Sequence, residues 1–496
     1  MGGLIYFIVI YVLQTAEQIL GRSAYNRVLD RFHIRSFMDR LLFFPALWAG
    51  KLLLWIYGRT GHRQNDKPGM AALRLCDGFL KYAAKPKLTI VVSGTNGKTS
   101  ISCMVANILK LRGMTVSYTD WGANDRGGNA WCILNAVNIF NRPTKDAAVI
   151  EMDELVCRRN VPQVKPNYLI INNLARDSML RNATPEFVEA HLHSAAEHSP
   201  NTVVIGNADD PLSCSIGEHN RCVRFGVADL HLTPSASLHD LALCPNCFAK
   251  LDYKYRNFRH IGPFSCPVCG FASPDIDVFV EGVDRARRTV TVRSAAGTVE
   301  YPMISASTHN IYNEAAIIAM FLDMGVSPED LKGYLAKTSL PASRETKCEA
   351  NGIAVYTKMA KGQNATATSS AFESVIVEPG VKELILLVDE TYDSPGETET
   401  AAWIFDVRYE CLNDPKIKKI IVGGDRYLDH RVSMLMAGIP EEKLVCIPQM
   451  PETAQLVDTQ GIDAIYILHD VNYVSRAHKV RDEVQKRIRE AGRCGQ

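Results

Sequence analysis

Short apolar runs separated by stretches of helical periodicity recur along the middle of the chain. Residues 88–94 (LTIVVSG) have the composition of a buried strand, and residues 100–113 (SISCMVANILKLRG) have the period of a helix that ends at a glycine. Further strand-like runs follow at residues 147–150, 168–171 and 202–205. This order predicts an α/β fold with a mostly parallel sheet covered by helices.

A second α/β series follows Pro341, with apolar runs of strand length at residues 383–389, 418–423, 443–447 and 464–468. A chain of 496 residues is expected to contain about three domains at roughly 150 residues each. We therefore expect an N-terminal helical region at residues 1–64, a central ATP-binding domain at 65–340 and a C-terminal Rossmann-like α/β domain at 341–496.

The N-terminal region carries two apolar runs with arginines between them. Residues 4–13 are unbroken apolar, and residues 41–57 are apolar apart from a few positions such as Pro45 and Lys51. Neither run reaches the about 20 apolar residues that cross a bilayer. The intervening basic residues suit an inner membrane face; they are Arg22, Arg27, Arg31, Arg35 and Arg40. Two interpretations stay open: a short membrane anchor or in-plane helix that contacts the membrane surface, and a buried helical hairpin.

Composition and charge narrow the class of protein. Apolar residues make up 47% and charged residues 22% of the chain, the balance of a folded globular protein. Lys and Arg total 55 against 54 Asp and Glu, so the net charge of +1 predicts no nucleic-acid partner. Because no basic segment precedes the first apolar run, no cleavable secretion signal is expected. The 14 cysteines are then expected as thiols in the cytoplasm.

A glycine-rich loop stands where the first strand gives way to a helix. Its residues are Gly94, Thr95, Asn96, Gly97, Lys98, Thr99 and Ser100. Glycines let backbone N–H groups turn towards a phosphate, and a helix N-terminus adds partial positive charge. Lys98 is expected to reach the β- and γ-phosphates of ATP, and the Thr99 hydroxyl to bind Mg²⁺. A plain glycine turn before a helix is the alternative, but it would not need a Lys-Thr pair in this register.

Three acidic residues follow the next predicted strand, in the run Glu151-Met152-Asp153-Glu154. Carboxyl ends of parallel strands face the ligand crevice of an α/β sheet. We expect Glu151 to act in catalysis by holding a Mg²⁺ ion shared with the phosphates, because carboxylates are hard oxygen ligands. The alternative is a solvated acidic loop.

The segment from Thr308 to Ala316 (THNIYNEAA) places Asn310 and Asn313 on one face of a helix. Asparagine amides pair well with adenine, which offers a donor and an acceptor side by side. We therefore predict that both residues bind the nucleotide. Helix capping is the alternative role for Asn310.

Four cysteines form two CxxC pairs separated by 18 residues, within a predicted insert at about residues 243–274. They are Cys244, Cys247, Cys266 and Cys269. This spacing is typical of a structural zinc ribbon with four thiolate ligands and no open coordination position. A pair of disulfides is the alternative, disfavoured by the expected reducing compartment.

Together these motifs resemble the MurT family of Mur ligases. The resemblance rests on GTNGKTS, EMDE at residues 151–154, NADDP at 207–211, the four-cysteine ribbon and HNIYNEAA. It implies a Mur ligase central P-loop ATPase domain with an inserted zinc ribbon, followed by the C-terminal domain, and it matches Arg344 to a nucleotide-binding position. It also implies ATP, Mg²⁺ and Zn²⁺ as cofactors and an acyl-phosphate intermediate that ammonia converts to an amide. The implied substrate is the D-glutamate of lipid II, a lipid-linked peptidoglycan precursor, and the implied partner is a glutaminase subunit.

The C-terminal motifs depart from the family pattern. Where the family carries DGxDxSW, this chain reads Asp393 to Asp406 (DSPGETETAAWIFD), and KNPxG is replaced by Lys358 to Gly362 (KMAKG). A family aspartate completes the partner's glutaminase site, and the candidates here are Asp393 and Glu397, ranked ahead of Glu399 and Asp406. Two other functions stay open: a Mur-like ligase that joins another amine to a cell-envelope acid, and a membrane-attached nucleotide-binding scaffold without activity.

Overall fold

The computed structural model describes residues 34–60, 65–175, 184–231, 241, 243–340, 345–362, 364–389, 401–470 and 473–494. The first apolar run and Arg344, Asp393, Glu397 and Glu399 lie outside these residues. The helices are α1 Ile34–Thr60, α2 Lys67–Leu75, α3 Phe79–Tyr82, α4 Lys98–Leu111, α5 Arg126–Ala136, α6 Glu154–Val164, α7 Pro185–Glu197, α8 Thr308–Asp323, α9 Pro328–Leu335, α10 Ala365–Ile376, α11 Ala402–Phe405, α12 Tyr427–Met436 and α13 Val474–Cys494.

The strands of the same residues are β1 Leu88–Ser93, β2 Val116–Tyr118, β3 Ala147–Glu151, β4 Tyr168–Ile171, β5 Val203–Asn207, β6 Cys222–Val227, β7 Asp252–Tyr253, β8 Phe264–Ser265, β9 Val278–Asp284, β10 Thr289–Ser294, β11 Gly297–Pro302, β12 Glu345–Ala350, β13 Ile353–Met359, β14 Lys382–Leu387, β15 Ile417–Gly423, β16 Leu444–Ile447 and β17 Ala464–His469.

A nine-stranded sheet forms the first α/β unit, in the order β11-β10-β9-β6-β5-β4-β1-β3-β2. Its strands are parallel from β2 to β9, and β9, β10 and β11 form an antiparallel meander. Strand β1 lies between β3 and β4, so helices cover both of its faces and its residues alternate between two cores. Ile90 and Val92 belong to one core and Val91 to the other. This double burial is why the strand reads as a continuous apolar run.

A six-stranded sheet forms the second unit, in the order β12-β13-β17-β14-β15-β16. Strands β12 and β13 make an antiparallel hairpin, and the remaining neighbours are parallel. Each face carries its own buried core, one with Leu384 and Leu386 and the other with Ile385 and Leu387. The predicted α/β class is confirmed: the described residues form two α/β units, with the cysteine-bearing insert in the first.

Helix α1 packs one face on the first unit. Phe43, Ala46 and Leu47 lie in a core shared with α2 and α5. Over Ser36–Thr60 the helix is long and apolar enough to cross a membrane by length and composition. Of the described residues, this is the one helix that passes that test.

Candidate active site

The glycine-rich loop connects β1 to α4 and lines a cavity of about 300 Å³ between the two α/β units. Gly94 and Gly97 have φ angles of 112° and 94°, a region that other residues rarely adopt. A Cβ atom at Gly97 would also overlap the side-chain amide of Asn313. Glycine is therefore required at this position by conformation and by space, and the start of α4 is left open to an anionic ligand.

Lys98 begins α4 and its side chain is held from two sides. Its Nζ donates to the Gly94 carbonyl and to Glu154 Oε1, both at 2.7 Å. Both side chains are buried, and burial raises the pKa of Glu154 while the nearby Lys98 charge opposes that rise. Glu154 is thus a positioning residue for Lys98. The sequence placed Glu154 in an acidic run without assigning it a role.

Thr99 and Glu151 meet on the cavity wall. Thr99 Oγ1 donates to Glu151 Oε1 at 3.0 Å, and Glu151 ends β3, the neighbour of β1. Asn129 Nδ2 donates to the Glu151 carbonyl at 2.9 Å and fixes the end of this strand. The Glu151 side chain is buried, so the alternative of a solvated acidic loop is wrong. A hydroxyl and a carboxylate oxygen beside a phosphate-binding loop are the donors that fit Mg²⁺.

Asn310 and Asn313 lie in the first turns of α8 and line the same cavity. Ser307 is the N-cap of this helix, so the capping role considered for Asn310 is wrong. The amides form a relay: Asn172 donates to Asn313 at 2.5 Å, Asn313 to Asn310 at 2.9 Å, and Asn310 to Ser307 at 2.8 Å. Adenine recognition by these two residues stays a prediction, and their observed contacts tie α8 to the end of β4.

The second α/β unit contributes the opposite side of the cavity. Lys358 and Lys361, at the end of β13, line it together with Ser370 from α10. Ser370 Oγ and His309 Nδ1 are 2.9 Å apart, and this contact joins α10 to α8. Sequence reasoning noted the KMAKG segment as a departure from the family but assigned its lysines no role. The available signal was the presence of two lysines within four residues, Lys358 and Lys361.

Burial of two histidines predicts acid lability. Burial lowers the pKa of His309 to about 4, with Arg259 adding to the effect, and burial likewise lowers the pKa of His430 to about 4. Each group is protonated more readily in the unfolded chain, so its contribution to stability is full above pH 6.5 and is lost as the pH decreases towards 4. The loss amounts to about 3 kcal/mol for each histidine.

In thermal unfolding, we expect His309→Gln to lose less stability than the wild type when the pH is lowered from 7 to 5. His219 is 73% exposed, so His219→Gln serves as the matched control and should leave the pH dependence unchanged. A pH dependence that is equally steep in the His309 variant would contradict the assignment.

The cysteine cluster lies in the insert. The Sγ atoms of its four cysteines all lie within 4.8 Å of one another, and the closest pairs, Cys244 with Cys269 and Cys247 with Cys266, are 3.5 and 3.4 Å apart. These separations are far longer than a disulfide bond. Both CxxC turns share one geometry, since Phe248 N donates to Cys244 O and Gly270 N to Cys266 O. Four thiolates arranged around one point fit Zn²⁺.

The predicted partner-coupling residues are not brought together by the described part of the chain. Asp406 follows α11 and is half-buried, whereas Asp393 and Glu397, like Arg344, fall in ranges outside it. The neighbouring Trp403 is buried, with its ring 5.8 Å from that of His430.

Comparison with known proteins agrees with this architecture. The Mur ligase middle domain family matches residues 92–240, and the MurT ligase C-terminal family matches residues 362–474. A pseudomurein peptide ligase type C from Methanothermus fervidus superposes with a TM-score of 0.62 at 17% identity, covering 87% of this chain and 91% of that one. MurF ligase from Thermotoga maritima, solved in complex with ADP, has a TM-score of 0.56 at 15% identity, with coverages of 86% and 85%. The fold and the site thus define a Mur ligase, an ATP-dependent ligase that forms carbon–nitrogen bonds.

Proteins of similar sequence define the class of ligase more closely. The MurT subunit of the glutamine-hydrolysing lipid II isoglutaminyl synthase of Streptococcus pneumoniae is 27% identical over 430 residues, which cover 85% of this chain and 93% of the relative. The resemblance seen in the motifs is therefore confirmed, and this chain is a MurT-like Mur ligase.

Proposed function

We propose that this protein uses ATP to amidate the D-glutamate of lipid II to D-isoglutamine, with ammonia supplied by a glutaminase partner. The observation that carries the proposal is the cavity in which Lys98, Thr99 and Glu151 of the first unit face Lys358 and Lys361 of the second. The relative's name, a lipid II isoglutaminyl synthase subunit, supports the substrate and the existence of a second subunit.

The reaction has two steps. An oxygen of the substrate carboxylate attacks the γ-phosphorus of ATP, the bond to ADP breaks, and an acyl phosphate forms. Ammonia then attacks the acyl carbon, inorganic phosphate leaves, and the attacking nitrogen loses a proton to give the amide. Both steps require charge stabilisation at phosphoryl oxygens more than covalent help from the protein.

The residues of the cavity match that requirement. Lys98 and the N–H groups at the start of α4 stabilise negative charge on the transferring phosphoryl group. Thr99 and Glu151 would hold Mg²⁺, which supplies further positive charge to the phosphate oxygens when bound. Lys358 and Lys361 approach from the second unit, so the position of that unit determines whether the cationic site is complete.

An exposed apolar face on the second unit supports a partner subunit. Leu428, Val432 and Met436 repeat every four residues on α12, and Phe405 of α11 is also exposed. These side chains lie on the same unit as Asp406. A glutaminase docked there would bind the domain whose sequence carries the carboxylates proposed to orient its catalytic histidine.

The test is amidation of lipid II by the purified chain, first with ammonium salt and then with glutamine and the co-purifying partner. We expect ATP-dependent amidation in both cases. Asp393→Asn or Glu397→Gln should lower glutamine-dependent turnover by about 10²-fold or more, since a misoriented histidine costs at least that much. Ammonia-dependent turnover should be unchanged.

Glu399→Gln and Asp406→Asn are the matched controls, because they change carboxylates of the same stretch that rank lower. If none of the four changes lowers glutamine hydrolysis, this domain does not complete the partner's site. Formation of an amide only with another amine would identify the chain as a ligase for that donor. Absence of ATP turnover with every acceptor would favour the scaffold function.

A further inference from the structure

Helix α1 exposes a continuous apolar stripe on the side away from the protein. Six large apolar residues of the helix are between 43% and 63% exposed: Phe37, Leu41, Phe44, Trp48, Leu52 and Trp55. At roughly 100° per residue they fall within an arc of about 80°. Single exposed apolar residues are common on protein surfaces, whereas six on one helix face form a continuous apolar patch, which is typical of a binding surface.

A neighbouring loop extends the stripe. Ile139 and Phe140, between α5 and β3, are 49% and 69% exposed, and Trp48 Nε1 donates to the Ile139 carbonyl at 2.9 Å. We call these eight residues, the six of the helix with Ile139 and Phe140, the α1 apolar surface. The loop sits beside the middle of the helix, so the surface is broader than a single helix face.

Basic residues border the α1 apolar surface. At the same helical pitch Arg40 and the half-buried Lys51 lie beside one edge of the stripe, and Arg59 lies at its C-terminal end with its guanidinium 4.2 Å from the centre of the Trp55 ring. Arg142 is exposed in the neighbouring loop. The single acid of the helix, Asp39, points to the opposite side, where it meets Gly78 and Cys76. The surface is therefore apolar at its centre and cationic at its border.

We propose that the α1 apolar surface binds the interface of an anionic phospholipid bilayer, with α1 lying in the plane of the membrane. Aromatic and aliphatic side chains on one face with flanking Lys and Arg are the features of an interfacial helix. Trp48 and Trp55 suit the boundary between headgroups and acyl chains.

The packing of α1 distinguishes an in-plane helix from a span. Its opposite face, with Phe43, Ala46 and Leu47, is buried against α2 and α5. A helix crossing the bilayer would pull these polar-surfaced helices into hydrocarbon, where their exposed charges are costly. The in-plane orientation leaves that packing intact.

Two other partners could cover the α1 apolar surface: residues 1–33 of the same chain and a second copy of the protein. The distribution of charge favours a lipid surface over both. Residues 1–33 contain only Glu17 and Asp30 as acids, so a cover made of this segment would leave most of the bordering cations uncompensated. A second copy docked symmetrically would bring like charges together, because the same patch faces itself across a two-fold axis. Anionic headgroups instead satisfy the cationic border while the acyl region accepts the apolar centre.

Membrane binding by α1 is separate from the proposed amidation and would serve it by bringing the cavity to its substrate. Helix α5, on which α1 packs, begins two residues after Asn124, and Asn124 lines the active-site cavity. A membrane-bound α1 would keep that cavity near the headgroups, where a lipid-linked acceptor presents its carboxylate.

The test is sedimentation of the full-length chain with unilamellar vesicles of equal parts phosphatidylglycerol and phosphatidylcholine, and with phosphatidylcholine alone. We expect binding to the anionic vesicles and weaker binding to the neutral ones. Leu52→Glu should lower the bound fraction about tenfold, since it places a charge in the interfacial apolar layer. Phe187→Glu makes the same kind of change at an exposed helical position on α7 and should have no effect.

A second experiment tests membrane contact without introducing a charged side chain. Brominated phospholipids should quench tryptophan fluorescence of the wild-type chain, and Trp48→Phe with Trp55→Phe should remove the quenched component. Retained vesicle binding after removal of residues 1–33 would also support the proposal. It would be overturned by lack of vesicle binding, by binding that Leu52→Glu leaves unchanged, by loss of binding on removal of residues 1–33, or by a dimer that Leu52→Glu dissociates.

Vesicle binding and the proposed amidation activity can be tested independently of each other. ATP-dependent amidation of an acceptor lacking the lipid chain should be equal in the wild type and Leu52→Glu, because Leu52 lies outside the cavity. Vesicle binding without lipid II amidation would refute the proposed function and leave the membrane surface standing.

Discussion

Lys98→Ala is expected to abolish ATP-dependent amide formation, with turnover lowered by about 10³-fold or more, the scale of losing a preorganised charge at a transferring group. The Lys98 side chain stands at the start of α4, where the loop residues Thr95 to Thr99 line the cavity. No other lysine of the described loop can replace it, because Lys358 and Lys361 come from the opposite wall. The measurement is ADP release and amide formation at saturating ATP.

The Lys98→Ala variant needs a control for folding, because Lys98 is paired with Glu154. Glu154 is buried, and removing the lysine leaves this carboxyl group without its cation, an arrangement that destabilises a protein unless the acid is protonated. Lys98→Ala should therefore lower the unfolding temperature, and the double variant with Glu154→Gln should regain part of it without regaining activity. Turnover near the wild-type rate in Lys98→Ala would refute the ATP site.

Cys266→Ser is expected to release the zinc ion and unfold the insert. The insert contains one two-stranded sheet whose strands, β7 and β8, have two residues each, too little structure to be stable alone. Apparent zinc affinities of structural sites correspond to about 10 kcal/mol, so the metal would contribute most of the stability of this segment. Metal analysis should find one zinc per chain in the wild type and less in the variant, with new protease cleavage within residues 243–274.

Cys446→Ser is the matched control, because Cys446 is a half-buried thiol on β16 of the other sheet. It should leave zinc content and protease resistance unchanged. Nucleotide binding should persist in Cys266→Ser, since the phosphate loop belongs to β1 and α4, although the Phe258 ring of the insert contacts the His309 ring at 4.5 Å between ring centres. A wild-type chain without zinc, or one with a Cys244–Cys266 disulfide, would contradict the assignment.

The local features of the site could be read from the sequence. The strand, glycine loop and helix around Lys98 follow from short-range rules, because glycine conformation and helix starts depend on neighbouring residues. The two CxxC turns are local as well. The order of apolar runs was sufficient to predict two α/β units, since buried parallel strands carry a continuous apolar signal. Glu151 was found because a strand end beside a phosphate loop is a position that chain order predicts.

Contacts between distant parts of the chain were decided by tertiary structure. Glu154 reaches Lys98 across 56 residues, His309 reaches Ser370 across 61, and Asn364 lies against Asn96 across 268. No local pattern marks such pairs, because each depends on how whole helices and sheets pack. The same packing brings Lys358 and Lys361 to the cavity, although their segment departs from the family motif.

The difference between what the sequence determines and what the tertiary structure determines is clearest for helix α1. Its sequence established that residues 41–57 are apolar and flanked by arginines, which left a membrane contact and a buried hairpin as equal alternatives. An average over all positions of a helix does not say which face is covered, because hydropathy sums the buried and the exposed side chains together. Only the packing against α2 and α5 separates Phe43, Ala46 and Leu47 from the exposed stripe, since burial is a property of the partner surface as well as of the residue.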